Sequence, residues 1–288
     1  MTEPATTLDD LLSRIDTMQR YRRAGKSALF QPVVLLWAIG RARRGAERLL
    51  PWPETQATLK ELLRKHGEKP RPDRPIAALH RAGIWELRDH EPPVPTAHGG
   101  AEPEPWFNRN QPRGGLPLPI YELLRDSESA QAAAIDQIFD TYLDNEPHDE
   151  LLTDTGLIDS TRTGMATEYA RLCRVVERGE PVNSGKRTTR TTTSPFRSAC
   201  AREAVRLRSA GRCENPGCTG QPEDVTDSGK PLLDVDHIED LALGGRDHPE
   251  QMIALCPNCH RIKTHGSTRE HLRAKLREVA RSRHTTYS

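Results

Sequence analysis

Aromatic side chains are scarce in this sequence, at 5% of 288 residues, and no apolar run approaches the length of a membrane span. The N-terminal Met1-Thr2-Glu3-Pro4 has neither the basic nor the apolar region of a secretory leader, so a soluble, cytoplasmic protein without a membrane partner is expected. Cysteine is also sparse, and the six present are not spread as they would be in a small secreted disulfide scaffold. Four crowd between Cys213 and Cys259, while Cys173 and Cys200 stand alone, a pattern that points to a metal. The length allows two modest domains, each with its own core.

Net charge is small as well, at +1, but it is unevenly distributed. Residues 160–288 carry 22 Lys+Arg against 16 Asp+Glu, or +6, which leaves −5 for the first 159. Inside that acidic half runs a basic cluster of Arg14, Arg20, Arg22, Arg23, Lys26, Arg41, Arg43, Arg44 and Arg48. Two readings fit it, a phosphate-contacting surface or a solvated helix face.

Apolar periodicity predicts a helix over 8–23, with Leu8, Leu11, Leu12, Ile15 and Met18 on one face and Thr7 as its N-cap. Pro32 heads a helix that is apolar on most faces through Val33–Ile39, hence central to the first core. A third, amphipathic helix spans 55–65 and ends near Gly67. The Pro-punctuated run 69–75 reads as a loop, Ile84–Leu87 as a strand, and 89–119 as a long irregular loop. Helical spacing returns at 120–124, 130–143 and 166–177, and the polar stretch 177–194 reads as a linker.

Two cysteine pairs, Cys213-x4-Cys218 and Cys256-x2-Cys259, are separated by 37 residues. Each can set two thiolates about 2.3 Å from one tetrahedral Zn²⁺, and a small domain with few aromatics needs such a staple. Between them Leu232–Ile238 alternates as a strand, Leu243-Gly244-Gly245 makes a turn, and Met252–Leu255 leads into Cys-Pro-Asn-Cys-His. Over residues 197–270 this array resembles the HNH family of ββα-metal nucleases, in particular its McrA-like branch. The resemblance implies a structural zinc and DNA hydrolysis assisted by one Mg²⁺ or Mn²⁺. It makes His237 the general base, places Asp236 in the metal site, and makes His260 a metal ligand or phosphate contact. That chemistry needs a base to deprotonate water and a cation to bear charge at the phosphate, and imidazole titrates near neutral pH. The rings of His237 and His260 are therefore expected to converge on one labile cation.

Gln251 stands fourteen residues after His237 and nine before His260, where the family usually has Asn. Its amide reaches one methylene further and can order the loop or touch the metal. His248 and His265 flank the site. Arg261, Lys263 and the run from Arg269 to Arg283 offer charge for a DNA backbone, or simply a soluble helix face.

The first half shows Pro32 with Ala38-Ile39-Gly40-Arg41, Leu62-Leu63, Pro75-x-x-Ala78-Leu79 and Gly83-Ile84-Trp85-Glu86. Gly114-Gly115-Leu116, Tyr121–Arg125, His148 and Gly156-Leu157 follow. In this order they resemble the sulfur-binding domain joined to HNH nucleases in phosphorothioate-dependent restriction enzymes. The family's Tyr-Pro-x-x-Ala run is Arg74-Pro75-Ile76-Ala77-Ala78 here, so Pro75 and Ala78 carry over and the aromatic wall does not. Gln31 replaces a basic residue before the helix-opening Pro32 and Phe30 replaces a His. The resemblance implies a sulfur site at Gln31, Arg74, Pro75 and Ala78, with Arg109 and Arg113 on a loop able to enter a DNA groove.

The expected architecture is mainly α with small β elements. A helical recognition domain covers 8–158, a helix and flexible linker 159–195, and a ββα-metal domain 196–288. The expected activity is a modification-dependent restriction endonuclease acting on double-stranded, phosphorothioated DNA by a one-metal HNH mechanism. A homodimer is expected because one HNH centre cuts one strand. A nuclease reading another modification or sequence, or a DNA-binding protein with a weakened nuclease, stays open.

Overall fold

Thr7 starts the first helix in the computed structural model, where its hydroxyl accepts from the amide of Asp10 and the Asp10 carboxylate accepts from the amide of Thr7. The structure describes residues 7–18, 22–23, 26–95, 102–143, 149–158, 165–183, 198–227, 229–241 and 245–287. Its contacts divide the chain into two units, Met1–Ile158 and Asp159–Ser288. Arg20, His148, Leu243, Gly244 and the expected linker beyond residue 183 lie outside the described residues. No helix among those described is long and apolar enough to cross a membrane.

In the first unit, α1 (Leu8–Asp16) is shorter than the predicted 8–23, and Arg22–Arg23 (β1) instead pairs antiparallel with Lys26–Ser27 (β2). Met18 is the last buried apolar residue of the stripe, so the pattern offers no face to extend the helix. Helix α2 (Phe30–Arg43) is buried all round from Gln31 to Gly40 and forms the centre of the core. Strand β3 (Leu50–Pro51) leads into α3 (Trp52–Lys65), and α4 (Asp73–Arg81) begins inside the Pro-rich run read as a loop. Pro75 sits in the first turn of α4, where a missing N–H costs nothing. The long loop also contains structure: β4 (Glu86–Arg88), α5 (Pro103–Asn110) and β5 (Arg113–Gly115), with β3-β5-β4 forming an antiparallel sheet. Helices α6 (Leu118–Asp126), α7 (Glu128–Tyr142) and α8 (Asp149–Asp154) complete the unit. Gly40 permits the closest approach onto α2, because a Cβ there would lie 2.0 Å from the carbonyl oxygen of Thr155.

Among the described residues of the basic cluster, five arginines hold backbone carbonyls. Arg14 donates to the carbonyl of Gly83 at 2.6 Å, Arg41 to Glu47 at 2.6 Å, and Arg44 to Gly156 at 2.6 Å. Arg43 donates to Leu157 at 2.7 Å and Arg48 to Leu116 at 2.9 Å. These guanidiniums close loop carbonyls that lack ladder partners, a structural use of charge.

In the second unit, α9 (Met165–Asn183) runs past the predicted end near 177 and packs along α10 (Ala199–Ser209). Strands β6 (Asp234–His237) and β7 (Met252–Leu255) pair antiparallel, with His237 opposite Met252. Helices α11 (Pro257–His265) and α12 (Arg269–Tyr287) close a core of Ile238, Ile253, Leu255, Leu276 and Ala280 around the cysteines.

Glu203 of α10 lies buried in this unit, and burial pushes its carboxyl up to about 7 against the opposing pull of Lys230 and Arg202. Its Oε2 makes no hydrogen bond among the described residues, with Arg206 3.8 Å away. Folding thus favours the protonated form. The associated stability is full below the ordinary carboxylate range and is lost as pH rises through about 7. Thermal melts from pH 5 to 8 should fall more steeply for wild type than for Glu203→Gln, by on the order of 3 kcal/mol across the window. Parallel slopes would remove the assignment.

Candidate functional site

The four cysteines meet. Cys213 and Cys218 come from the loop after α10, while Cys256 caps α11 and Cys259 lies in its first turn. Their sulfurs all lie within 4.8 Å of one another, and Cys218 and Cys256 are 3.8 Å apart. Sulfurs about 2.3 Å from a tetrahedral ion are separated by roughly 3.8 Å, so the donor set fits zinc. Asn215 Nδ2 donates to Cys259 Sγ at 3.1 Å, and the Gln221 side chain ties the knuckle by accepting from the amide of Cys213 at 2.7 Å. Burial holds the Cys213 and Cys259 thiols above their usual range, while the backbone N–H of Gly220 draws Cys218 down.

Beside this staple, Asp234 and Asp236 stand two residues apart on β6, hence on one face. His260 lies between them: Nδ1 is 2.9 Å from Asp234 Oδ2 and Nε2 is 3.1 Å from Asp236 Oδ2. An oxygen and a nitrogen ligand at about 2.1 Å in cis positions around a small divalent ion would be separated by about 3.0 Å, so Asp236 and His260 fit one. The second nitrogen would then donate to Asp234, the usual outer support of a ligating imidazole. Lys263, one turn along α11, is buried and reaches Asp236 Oδ2 at 2.5 Å and the carbonyl of His237. It is therefore unavailable to track a DNA backbone.

His237 has a carboxylate partner of its own. Its Nε2 is 2.8 Å from Asp247 Oδ1, and the ring is buried. His260 instead faces Asp234 and Asp236, so the two rings expected to converge each have separate carboxylate partners. Gln251 directs its amide oxygen to the backbone N–H of Arg246 at 2.9 Å, and its carbonyl accepts from Ile238 at 2.9 Å. Thus it ties the 245–251 loop to the end of β6. His248 is buried as the cap of the 3₁₀ turn Pro249–Gln251, and His265 is exposed at the end of α11.

In the first unit, Gln31 lies in the first turn of α2, 3% exposed, and its Nε2 makes no hydrogen bond among the described residues. Such an orphaned donor is costly unless a ligand takes it. Pro75 and Ala78 are buried in α4, which packs on α2. Arg74 is half-exposed and donates to Glu102 at 2.6 Å, where Arg71 joins at 2.7 Å. Arg109 is exposed on α5, whereas Arg113 on β5 is tied to Glu47 and to the carbonyl of Leu49. Neither belongs to the irregular loop expected for them.

Residues 8–160 match the family model described as ScoMcrA-like, DNA sulfur-binding domain, which is more than half of the chain. The chain belongs to this ScoMcrA-like family. A second model, HNH endonuclease, matches residues 213–266. Among solved structures, the sulfur binding domain of SprMcrA complexed with phosphorothioated DNA is 42% identical, over 53% of this chain and 95% of that one, with a TM-score of 0.51. The sulfur binding domain of ScoMcrA, likewise complexed, is 34% identical over 51% of this chain and 94% of that one, with a TM-score of 0.46. The type IV methyl-directed restriction enzyme EcoKMcrA of Escherichia coli (strain K12) is 43% identical over 54 residues, 19% of each chain. The chain therefore spans about a fifth of that curated relative's length.

In this ScoMcrA-like chain, sequence reasoning missed Asp234, Asp247 and the inward role of Lys263. Asp234 was discoverable, because an acid two residues before Asp236 shares its strand face. Asp247 was not, since ten residues and a turn separate it from the ring it holds.

Proposed function

We propose that this chain is a phosphorothioate-dependent, type IV-like restriction endonuclease. Residues 8–158 bind double-stranded DNA carrying a sulfur-substituted linkage, and residues 196–288 hydrolyse its phosphodiesters. The observation that carries the reading is one chain joining a sulfur-binding-family domain to an Asp236–His260 pair spaced for a divalent ion. Sulfur in place of a non-bridging oxygen keeps the charge but is larger and poorly hydrated. Buried Pro75 and Ala78 favour it, and an oxygen there would lose water without repayment. Gln31 supplies a buried N–H, Arg74 a charge for the phosphate, and exposed Arg109 a groove or backbone contact. Arg113, engaged by Glu47, contributes by holding β5.

Four thiolates hold Zn²⁺ as a structural ion, and Asp236 with His260 hold Mg²⁺ or Mn²⁺, ions whose oxygen preference is met by Asp236 and water, with His260 as a single imidazole ligand. That labile ion supplies charge stabilisation at the scissile phosphate. His237 takes a proton from the attacking water, Lys263 fixes Asp236, and Gln251 orders the loop beside the base. Two copies of the chain acting on one duplex would break both strands.

The test compares one duplex with and without a sulfur-substituted linkage at matched salt, first for binding and then for cutting with Mg²⁺ or Mn²⁺. Binding at least tenfold tighter to the substituted duplex, with cutting of that duplex only, is expected. Equal affinity removes the sulfur reading, and selective binding without breaks under either metal leaves a binding protein.

A further inference from the structure

The general base has a carboxylate behind it that neither the sequence pattern nor the family resemblance assigned. His237 Nε2 lies 2.8 Å from Asp247 Oδ1, and the Asp247 side chain is only 16% exposed. The other Asp247 oxygen accepts from the backbone N–H of Ser198, the N-cap of α10, so both oxygens are engaged and the carboxylate cannot turn freely. The loop that presents Asp247 is itself fixed at its neighbour, where Arg246 N–H donates to Gln251 Oε1 at 2.9 Å. Opposite, Lys263 fixes the carbonyl of His237. The ring is therefore held from its far nitrogen and its backbone together.

We propose that Asp247 is a positioning residue that sets the tautomer of His237. This rests on the nuclease reading above. An ionised carboxylate only accepts, so a neutral imidazole facing it carries its hydrogen on Nε2. Nδ1 is then the nitrogen with a free lone pair, and it makes no hydrogen bond among the described residues. When water attacks the phosphorus, its proton passes to Nδ1, the bond from phosphorus to the leaving 3′ oxygen breaks, and that oxygen takes a proton from solvent. The imidazolium formed is stabilised by the carboxylate on Nε2 and returns its proton to solvent, so one water is consumed and the ring is restored. Asp247 never touches substrate and acts only through the ring. Gln251 acts one step further back, because its longer amide spans to Arg246 and holds the strand-end loop that carries Asp247.

Asp247→Asn tests this with a built-in inversion. With Ser198 N–H still requiring an acceptor, the amide oxygen turns to it and the amide N–H₂ faces the ring. The ring must then accept at Nε2 and carry its hydrogen on Nδ1, which is the wrong nitrogen for the base. Single-turnover cutting of a substituted duplex with saturating Mn²⁺ should fall about 10- to 100-fold, with DNA affinity and zinc content unchanged. Two-dimensional ¹⁵N–¹H correlation of labelled histidines, with His237 assigned by its absence in His237→Ala, should show Nε2–H in wild type and Nδ1–H in the variant. Should Asp247→Asn fold poorly, the wild-type spectrum alone decides, since an Nδ1–H tautomer there overturns the proposal. Wild-type-like cutting by the variant overturns it too. Absence of cutting by wild type, with the Nε2–H tautomer present, counts against the nuclease reading instead.

Discussion

Exchanging Cys256 for Ser, or stripping the four-cysteine site with a strong chelator, is expected to unfold β6, β7 and α11 and abolish DNA cutting. Binding through residues 8–158 should survive. The core of the second unit is small: Ile238, Ile253, Leu255, Leu276 and Ala280 pack directly on Cys256 and Cys259, with no aromatic ring among them. A core of that size supplies little stability alone, whereas a structural zinc contributes on the order of 10 kcal/mol in small metal-stapled domains. Loss of the ion leaves four sulfurs crowded within 4.8 Å, two of them with thiols held protonated by burial. Each proton must leave for zinc to bind, so zinc affinity should rise with pH through neutrality. Metal content by mass spectrometry, thermal melts and gel shifts on a substituted duplex check this. A chelated protein that still melts with unchanged cooperativity and still cuts would sink the zinc assignment. Because the first unit contains none of the four ligands and has its own core on α2, its melt should persist.

The central helix and the zinc knuckles were legible because each depends on local pattern. An unbroken apolar run such as Val33–Ile39 leaves no polar face, so it has to be internal. Paired cysteines at short spacing bring their own geometry. The elements that were misread depend on partners far along the chain. Residues 103–110 form α5 because Phe107 packs on Trp52 at 4.5 Å and Asn108 accepts from the Trp52 indole at 2.9 Å, contacts that no window around 107 contains. In sequence the arginines near 41–48 carry two readings, and neither foretells that three of them cap the carbonyls of 116 and 156–157. Charge patterning records that a cation is present, not what it faces. At the candidate centre the strand alternation correctly separates Asp236 from His237. What it cannot supply is the second carboxylate, since Asp247 lies ten residues further along the chain from the ring it holds.

That separation yields the second large expected effect, a division of kinetic roles between adjacent residues. His237→Ala removes the proposed base but leaves the Asp236–His260 pair at 3.1 Å, so metal and DNA should still bind while single-turnover cutting falls by about 10²- to 10⁴-fold. Asp236→Ala removes a proposed metal ligand and leaves Lys263, buried and formerly 2.5 Å from that carboxylate, without its anion. Its defect should therefore appear first as a raised Mn²⁺ requirement, and only partly as a lower rate at saturating metal. His260→Ala should resemble Asp236→Ala, because the proposed ion takes one ligand from each. Titrating Mn²⁺ against rate for the three variants separates the two behaviours. If His237→Ala shifts the metal requirement while Asp236→Ala does not, the roles are reversed, and the ion belongs on the Asp247 side of the strand.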